Sequence, residues 1–321
     1  MSAVLPASGA SVRKTLTVHA SVDHAFKVFT EGFDGWWPRG HHIGKQPMKK
    51  AVLEPRLGGR CYGQSADGTD ADWGSVLVWE PPRRLVIAWQ ITPDWQYEPD
   101  LAKCSEVEVR FMPERDDVTR VELEHRHFEK HGAGGDSIRE AVGGPGGWGG
   151  ILELFRGAAR TFNSVLSPLA GIFSINDLLI TRALDGLDEQ QLWRRTTEHT
   201  NPLLWIVGHV VQTRAHARAL FGEPLDTGWG GLFEQGALVQ EASRYPALSA
   251  MSEKRTAITT ALMDTLASMT ADALAGPPIG PAPPGAKTVA DQIGFFAMHD
   301  SYHVGQLGYI RKALGKPGIA R

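Results

Sequence analysis

The hydrophobic pattern of this 321-residue chain changes near its middle. In the first half, apolar and polar residues alternate as they do in β-strands, whereas in the second half apolar residues recur with the period of α-helices. Seven of the ten tryptophans precede Ser167, and Pro168 then interrupts a helical pattern. A chain of this length is long enough for two hydrophobic cores. We therefore predict two domains, at residues 1–166 and 167–321.

The first half predicts an α+β domain. A strand is expected near residues 13–21, followed by a short helix that ends at Phe29. Six further strands are expected near residues 51–54, 59–63, 73–79, 84–91, 105–112 and 119–128, with hairpin turns between them. A glycine-rich loop then precedes a long helix at about residues 148–165. Strands grouped together and followed by a helix are typical of the α+β class.

Several runs of this half resemble the START-like, or SRPBCC, superfamily, in the branch named after an activator of a heat-shock-protein ATPase. The runs are Gly35–Pro38, Leu53–Arg60, Trp73–Leu77, Pro82–Leu85, Ser105–Phe111, Thr119–His125 and Gly146–Trp148. The resemblance covers about residues 10–165. It implies a helix-grip fold, in which a curved antiparallel sheet wraps a long helix around an apolar cavity. It also implies a small hydrophobic molecule as the ligand.

The tryptophans of the first half fit two interpretations. Any one of them suits ordinary core packing, because aromatic side chains bury a large apolar area. Around one cavity, Trp36, Trp37, Trp73 and Trp89 would instead suit a planar apolar ligand. The sequence leaves both interpretations open.

Histidines add a polar side to the expected cavity. His125 and His127 share the phase of apolar residues in their strand, so both are expected to face the concave side of the sheet. With His41, His42 and Glu54 they would form a polar pocket floor, a second metal site, or hydrogen bonds at the cavity mouth.

The second half predicts four helices with long connections, which is a bundle with crossover topology. The helices are expected at about residues 173–184, 202–221, 248–268 and 288–314, and residues 189–200 are expected to form a loop. In the last helix, Thr288 is the predicted N-cap, with Asp291 completing a capping box. Gly315 follows the last apolar residue and marks the predicted end.

Three histidines lie on the apolar stripes of two of these helices. His299 and His303 are one turn apart, so they can bind the same metal ion, and His209 lies on the inward stripe of the second helix. Such pairs are also common as ordinary hydrogen-bonded histidines. Three histidine ligands would leave coordination positions open for water or substrate, as in catalytic sites. Gln306 would orient a ligand or a bound water.

The same residues resemble the DinB-like superfamily over about residues 168–321. The matching runs are Leu204–His209 and His299–Arg311. The resemblance implies a metal-binding triad at His209, His299 and His303, with zinc or nickel as the most common ions. It also implies a low-molecular-weight thiol as a co-substrate, and a thiol transferase or hydrolase as the candidate activity. It identifies no catalytic residue.

Composition indicates which binding partners and which cellular compartment to expect. The net charge of −3 gives no basic surface for nucleic acid, so no nucleic-acid partner is expected. Two cysteines favour a reducing compartment. No leader is expected from Met1–Ser8 and no run is long enough to cross a membrane, so a cytoplasmic protein is expected. A homodimer is compatible with these features.

Two functions are therefore compatible with the sequence. The first is a metalloprotein that binds a small hydrophobic molecule in one domain and catalyses thiol transfer or hydrolysis in the other. The alternative is a non-catalytic ligand sensor or chaperone-associated module with a structural metal. Metal-dependent turnover of a thiol and an electrophile separates the two functions. We expect each domain to work alone.

Overall fold

Residues 11–320 are described in the computed structural model of this protein. Met1–Ser8, the stretch from which no leader is expected, lies outside the described residues. Two units are present, one ending at Arg160 and one beginning at Thr161. The domain boundary expected after residue 166 stays a prediction, which fragments of the chain can test.

One antiparallel sheet organises the first unit, with the strand order β1-β7-β6-β5-β4-β3-β2. Its strands are β1 (Val12–Val18), β2 (Met48–Leu53), β3 (Arg60–Ser65), β4 (Asp70–Glu80), β5 (Arg84–Trp89), β6 (Ser105–Arg115) and β7 (Val118–Arg126). Five hairpin pairings join the strands from β2 to β7 in sequence order. The first strand pairs with the last, with Val12 opposite His125, so β1 forms one edge of the sheet.

The helices of the first unit are α1 (Val22–Thr30), α2 (Gly135–Gly143) and α3 (Gly150–Ala159). Helix α1 begins after Ser21, whose hydroxyl accepts a hydrogen bond from the backbone N–H of His24. Aromatic side chains join the helices to the sheet, since Phe29 of α1 packs edge-on against Phe111 of β6 and Phe155 of α3. This arrangement confirms the predicted α+β helix-grip fold.

The helix expected at residues 148–165 is shorter than predicted. A π-helical turn, Pro145–Gly149, precedes α3, and the backbone becomes extended at Arg160, with φ −60° and ψ 130°. Apolar residues continue beyond Ala159, so the sequence pattern predicts a longer helix. Leu166 is indeed buried, but in the core of the helical unit rather than in that of the sheet.

The second unit is all-α, as predicted. Four long helices, α4 (Ser167–Leu184), α6 (Leu203–Phe221), α7 (Leu248–Ala267) and α9 (Val289–Ala313), form the bundle, and short helices α5 (Glu189–Trp193) and α8 (Ala271–Ala275) lie in its connections. Helix α6 packs against α7 and α9, and α4 packs against α9. None of the helices within residues 11–320 combines the length and the apolarity needed to cross a bilayer.

Two local expectations for this unit were wrong. Pro168 lies in the first turn of α4 and does not interrupt a helix, because a first-turn residue needs no backbone N–H donor. The stretch expected as a loop at residues 189–200 begins with α5. A capping box between Asp188 and Gln191 satisfies the first N–H groups of that short helix.

The helix that carries two of the histidines has the predicted ends. The side chain of Thr288 accepts a hydrogen bond from the N–H of Asp291 at 3.1 Å, and the Asp291 carboxylate accepts one from the N–H of Thr288 at 3.0 Å. Gly315 follows α9 with φ +78°, a conformation that residues with a side chain rarely adopt. Both ends of α9 are thus fixed by local sequence.

Candidate metal centre and aromatic cavity

Three histidines converge between α6 and α9 of the helical unit. The Nε2 atom of His299 lies 3.3 Å from that of His209 and 3.1 Å from that of His303. One ligand atom from each of the three rings lies within 4.8 Å of the others. Groups of three or more histidine, cysteine or acidic side chains can hold a metal ion. Among the described residues, these three histidines form such a group.

Hydrogen bonds on the far side of two rings determine which nitrogen carries the proton. His209 Nδ1 lies 2.7 Å from the carbonyl oxygen of Phe233, and His303 Nδ1 lies 2.7 Å from Gln306 Oε1. Because both partners are acceptors, each Nδ1 donates its proton outward. The Nε2 atoms of His209 and His303 then present lone pairs to each other and to His299.

This arrangement fits a cation better than it fits hydrogen bonding. A neutral His299 has one proton, so its Nε2 can donate to only one of its two neighbours. Its Nδ1 is buried without a partner among the described residues. In a tetrahedral site with metal–nitrogen bonds of about 2.1 Å, nitrogens lie about 3.4 Å apart. The Nε2 separations around His299 are close to that value.

Burial favours the neutral form of two of the rings, those of His299 and His303. Burial, with smaller contributions from His303 and His209, lowers the pKa of His299 to about 4. Burial also lowers the pKa of His303, partly opposed by its hydrogen bond to Gln306. Neutral imidazole is the form that ligates a metal, so His299 and His303 are available as ligands at neutral pH.

A residue of the loop after α6, Phe233, packs beside the triad. It was not expected at the site from the sequence. A Cβ on Gly208 would lie 2.3 Å from the ring of Phe233, so the absent side chain allows this ring to reach α6. The carbonyl of Phe233 is thereby placed to hold His209. The indole of Trp205 stacks on His209 at 5.5 Å. Phe233 carries no sequence signal for this role, because it acts through its backbone from a loop 24 residues away.

The outer side of the triad is bordered by Tyr302. Its ring lies 5.0 Å from that of His303, and the side chain is 60% exposed. Its hydroxyl accepts a hydrogen bond of 3.2 Å from Gln306 Nε2. Gln306 therefore holds His303 with one end of its amide and Tyr302 with the other. His216, one heptad after His209, is exposed on α6.

A cavity of about 300 Å³ lies in the sheet-containing unit. Three of the tryptophans named in the sequence analysis, Trp37, Trp73 and Trp89, line it, as do His41 and His42. Trp37 and Trp73 stack at 5.4 Å with an angle of 5° between their planes. Trp95, Trp148 and Ile151 are among the lining residues that were not expected at the cavity from the sequence.

Two other residues expected at the cavity lie behind its wall. Trp36 packs in the core against Phe29 and Phe33, and its indole N–H donates to the carbonyl of Val28. His125 is fully buried; its Nδ1 accepts from Trp148 Nε1 at 3.1 Å, and its Nε2 lies 2.7 Å from Ser105 Oγ. With both ring nitrogens engaged, His125 has no free atom for the second metal site considered in the sequence analysis.

The placement of His127 also differs from the expectation. Strand β7 ends at Arg126, and His127 adopts a left-handed conformation with φ +66°. Its side chain is 42% exposed and its Nδ1 lies 3.3 Å from Glu129. The alternation that placed it beside His125 stops one residue earlier, because the chain turns there. His127 is not among the residues that line the cavity.

The fold and the sites define the class of this protein as a helix-grip domain with an aromatic cavity, joined to a helical bundle with a three-histidine cluster. Residues 19–157 match the family model described as Activator of Hsp90 ATPase homolog 1-like protein, and residues 179–307 match that of the DinB superfamily. The chain is thus a fusion of an AHSA1-like domain and a DinB-like domain. AHSA1-like domains bind small hydrophobic ligands, and DinB-like domains are metal-binding. No curated protein matches the chain.

Three similar solved structures each cover less than half of this chain. Txn09, an anthrahydroquino-Gama-pyrone synthase complexed with SUM, is 41% identical over 48% of this chain and 99% of its own, with a TM-score of 0.36. CalC, a self-sacrificing resistance protein from Micromonospora echinospora, is 32% identical over 46% of this chain and 93% of its own, with a TM-score of 0.36. An HSP90 activator from Plasmodium falciparum is 19% identical over 37% of this chain and 73% of its own, with a TM-score of 0.25.

Proposed function

We propose that this protein is a two-domain metalloprotein. His209, His299 and His303 hold one divalent ion through their Nε2 atoms, and the aromatic cavity of the first unit binds a small hydrophobic molecule. The observation that supports the metal site is the convergence of three Nε2 atoms: those of His209 and His303 lie on either side of that of His299 and direct their lone pairs inward. One divalent cation would accept the lone pairs of all three Nε2 atoms at once, with the proton of each neutral ring on Nδ1.

Nitrogen ligands suit zinc and nickel, so these are the ions we propose. A bound divalent ion supplies Lewis acidity, which lowers the pKa of a coordinated water or thiol and makes a nucleophile available at neutral pH. The Phe233 carbonyl and the Gln306 amide hold two of the rings in their ligating orientation. Three protein ligands leave room for a co-substrate, for which we propose a low-molecular-weight thiol.

A non-catalytic role is the second candidate, and the position of Asp300 favours it. Asp300 follows a proposed ligand in sequence and is the nearest carboxylate along the chain. However, its Oδ2 accepts a hydrogen bond of 2.7 Å from Arg214 Nε in the bundle core, and the side chain is 1% exposed. It is therefore not placed to act as a general base. A ligand sensor or chaperone-associated module with a structural metal needs no such base.

Metal analysis of the purified protein tests the metal site. We expect about one divalent ion per chain in the wild-type protein and loss of the ion in His299→Ala and His303→Ala. His216→Ala is the matched control, since it removes an exposed histidine from the same unit and should keep the ion. Full occupancy in both ligand variants would refute the assignment.

Turnover of a thiol with an electrophile separates the two candidate functions. Catalysis predicts product formation by the metal-loaded protein, and loss of product after chelation and in His299→Ala. A metal-loaded protein that forms no product across a broad set of thiols and electrophiles would favour the non-catalytic role.

A titration tests the cavity. Planar apolar molecules should quench tryptophan fluorescence, and Trp73→Ala should weaken their binding because it removes one face of the stacked pair. Trp193→Phe, in the helical unit, is the control. Quenching that is equal in the wild-type protein and in Trp73→Ala would contradict binding in this cavity.

A further inference from the structure

The cavity wall contains one indole whose polar atom is unused. Trp89 lines the cavity and is 6% exposed, yet its Nε1 has no hydrogen-bond partner among the described residues. Two other tryptophans that line the cavity do use their indole N–H groups. The indole N–H groups of Trp37 and Trp148 donate to the carbonyl of His41 and to His125 Nδ1. Since buried polar groups are nearly always paired, the missing partner of Trp89 points to a ligand.

A second buried polar atom without a partner in the described part of the chain belongs to another lining residue of the cavity. Nδ1 of His42 is buried without a partner, and His42 is also a lining residue. An indole N–H can only donate, whereas an imidazole nitrogen can donate or accept. The complementary ligand therefore carries at least one hydrogen-bond acceptor, such as a carbonyl oxygen, which would otherwise be costly to bury in an apolar cavity.

The shape of the cavity defines the rest of the ligand. The parallel planes of Trp37 and Trp73 favour a flat partner, and the remaining lining is mostly apolar. A cavity of about 150 Å³ holds benzene, so this one, at about 300 Å³, holds about two or three fused rings.

A strained residue stands among the lining residues of the cavity. Trp95 has φ +58°, which is rare for a bulky side chain, and it is 49% exposed. The turn is held by hydrogen bonds from the N–H of Trp95 to the carbonyl of Thr92 and from the N–H of Thr92 to the carbonyl of Gln96. Strained backbone that neighbouring bonds maintain is typical of ligand sites. Here it presents an indole to both the cavity and solvent.

We propose that the cavity selects flat polycyclic aromatic molecules that carry a carbonyl oxygen, with Trp89 Nε1 donating to that oxygen and Trp95 stacking on the ring system. This proposal rests on the ligand-binding function proposed for the first unit and names its substrate class. It makes Trp89 the residue that distinguishes oxygenated from plain aromatic molecules, and Trp95 a residue that contributes to the affinity for both.

Calorimetric titration with xanthone and xanthene tests the proposal, because these tricyclic molecules differ by one carbonyl. The wild-type protein should bind xanthone about tenfold more tightly, the ratio expected for one neutral hydrogen bond. Trp89→Phe keeps an aromatic ring but has no N–H, so it should bind xanthone and xanthene with about equal affinity. Trp95→Gly relieves the strained backbone and should weaken the binding of both molecules to a similar extent.

Trp79→Phe is the matched control, since Trp79 packs against Phe26 and is not among the lining residues; it should leave both affinities unchanged. Far-ultraviolet circular dichroism verifies that each variant is folded. Unchanged xanthone preference in Trp89→Phe would overturn the role of its N–H while leaving ligand binding intact. Binding of neither molecule by the wild-type protein would overturn the proposed ligand function together with this recognition.

Discussion

Arg214 and Asp300 form an ion pair inside the helical bundle, where each side chain is 1% exposed. Arg214 Nε donates to Asp300 Oδ2 at 2.7 Å, and Arg214 Nη1 donates to Asp177 Oδ1 at 2.8 Å and to Thr259 Oγ1 at 2.6 Å. These residues come from α6, α9, α4 and α7, so one guanidinium connects all four long helices. Asp300 directly follows His299, and the pair thereby fixes the helix that carries two of the proposed ligands.

Removal of one partner from this pair should be costly. Asp300→Ala leaves Arg214 with less compensation for its buried charge, so we expect the free energy of unfolding to fall by about 3–5 kcal/mol. The double variant Arg214→Met/Asp300→Leu should recover most of the loss, because well-packed apolar residues replace buried pairs at little cost. Urea unfolding followed by helical circular dichroism measures both.

Glu31→Gln is the control for that experiment, because it breaks an exposed pair with Lys27 and should change stability little. Arg214→Met alone should cost less than Asp300→Ala, since burial raises the pKa of Asp300 and the abandoned carboxyl can take up a proton. A double variant as unstable as Asp300→Ala would contradict this account of the pair.

The amide of Gln306 should matter for metal affinity more than for folding. Gln306→Leu removes the acceptor for the Nδ1 proton of His303, and loss of such a partner weakens metal binding about 10–100-fold. Gln306→Glu keeps an acceptor at the same place and should retain affinity. Competition with a chelating dye gives the dissociation constants. Equal affinity in Gln306→Leu and the wild-type protein would argue against an orienting role.

Acid should destabilise the first unit through His125. Burial, with a smaller contribution from His131, lowers the pKa of His125 to about 3 from an ordinary value of 6.5. Below about pH 6.5 the unfolded chain binds a proton that the folded chain refuses, so stability falls as the pH decreases toward the folded pKa and is unaffected above that window. From about pH 7 to about pH 5 the loss is about 2 kcal/mol.

His125→Gln tests this pH dependence, because glutamine can accept from Trp148 and donate to Ser105 without titrating. The difference between the wild-type protein and His125→Gln in urea unfolding isolates the contribution of this histidine from that of the metal site. We expect the advantage of the wild-type protein to shrink as the pH falls. A difference that does not vary between about pH 7 and about pH 5 would show that His125 is not held neutral.

Fragments of the chain test the domain boundary. Residues 1–166 and 167–321 should each fold, because each contains a hydrophobic core. Leu166 is fully buried against the helical core, so the fragment 161–321 should be more stable than 167–321 by about 2 kcal/mol. Thermal unfolding measures the difference. Equal stability of the two fragments would favour the boundary expected from the sequence.

Much of the fold was predictable because its signals are local. The capping box at Thr288 and the glycine after α9 determine the ends of that helix within a few residues. The errors also have local causes. The left-handed turn at His127 depends on the segment that follows β7, and the end of α3 depends on which core receives Leu166. The alternation of strands and the period of helices predict neither the turn at His127 nor the end of α3.

The sequence by itself determined which residues are available to the proposed metal site, because the spacing of His299 and His303 on one helix fixes their common face. Only the tertiary structure brought His209 to them, and only it supplied the Phe233 carbonyl that orients that ring. The same division holds for the cavity: aromatic content was visible in the sequence, but the unpaired N–H of Trp89 was not. The physical reason is that helical period is a local property, whereas the pairing of a buried polar atom depends on residues distant in the chain.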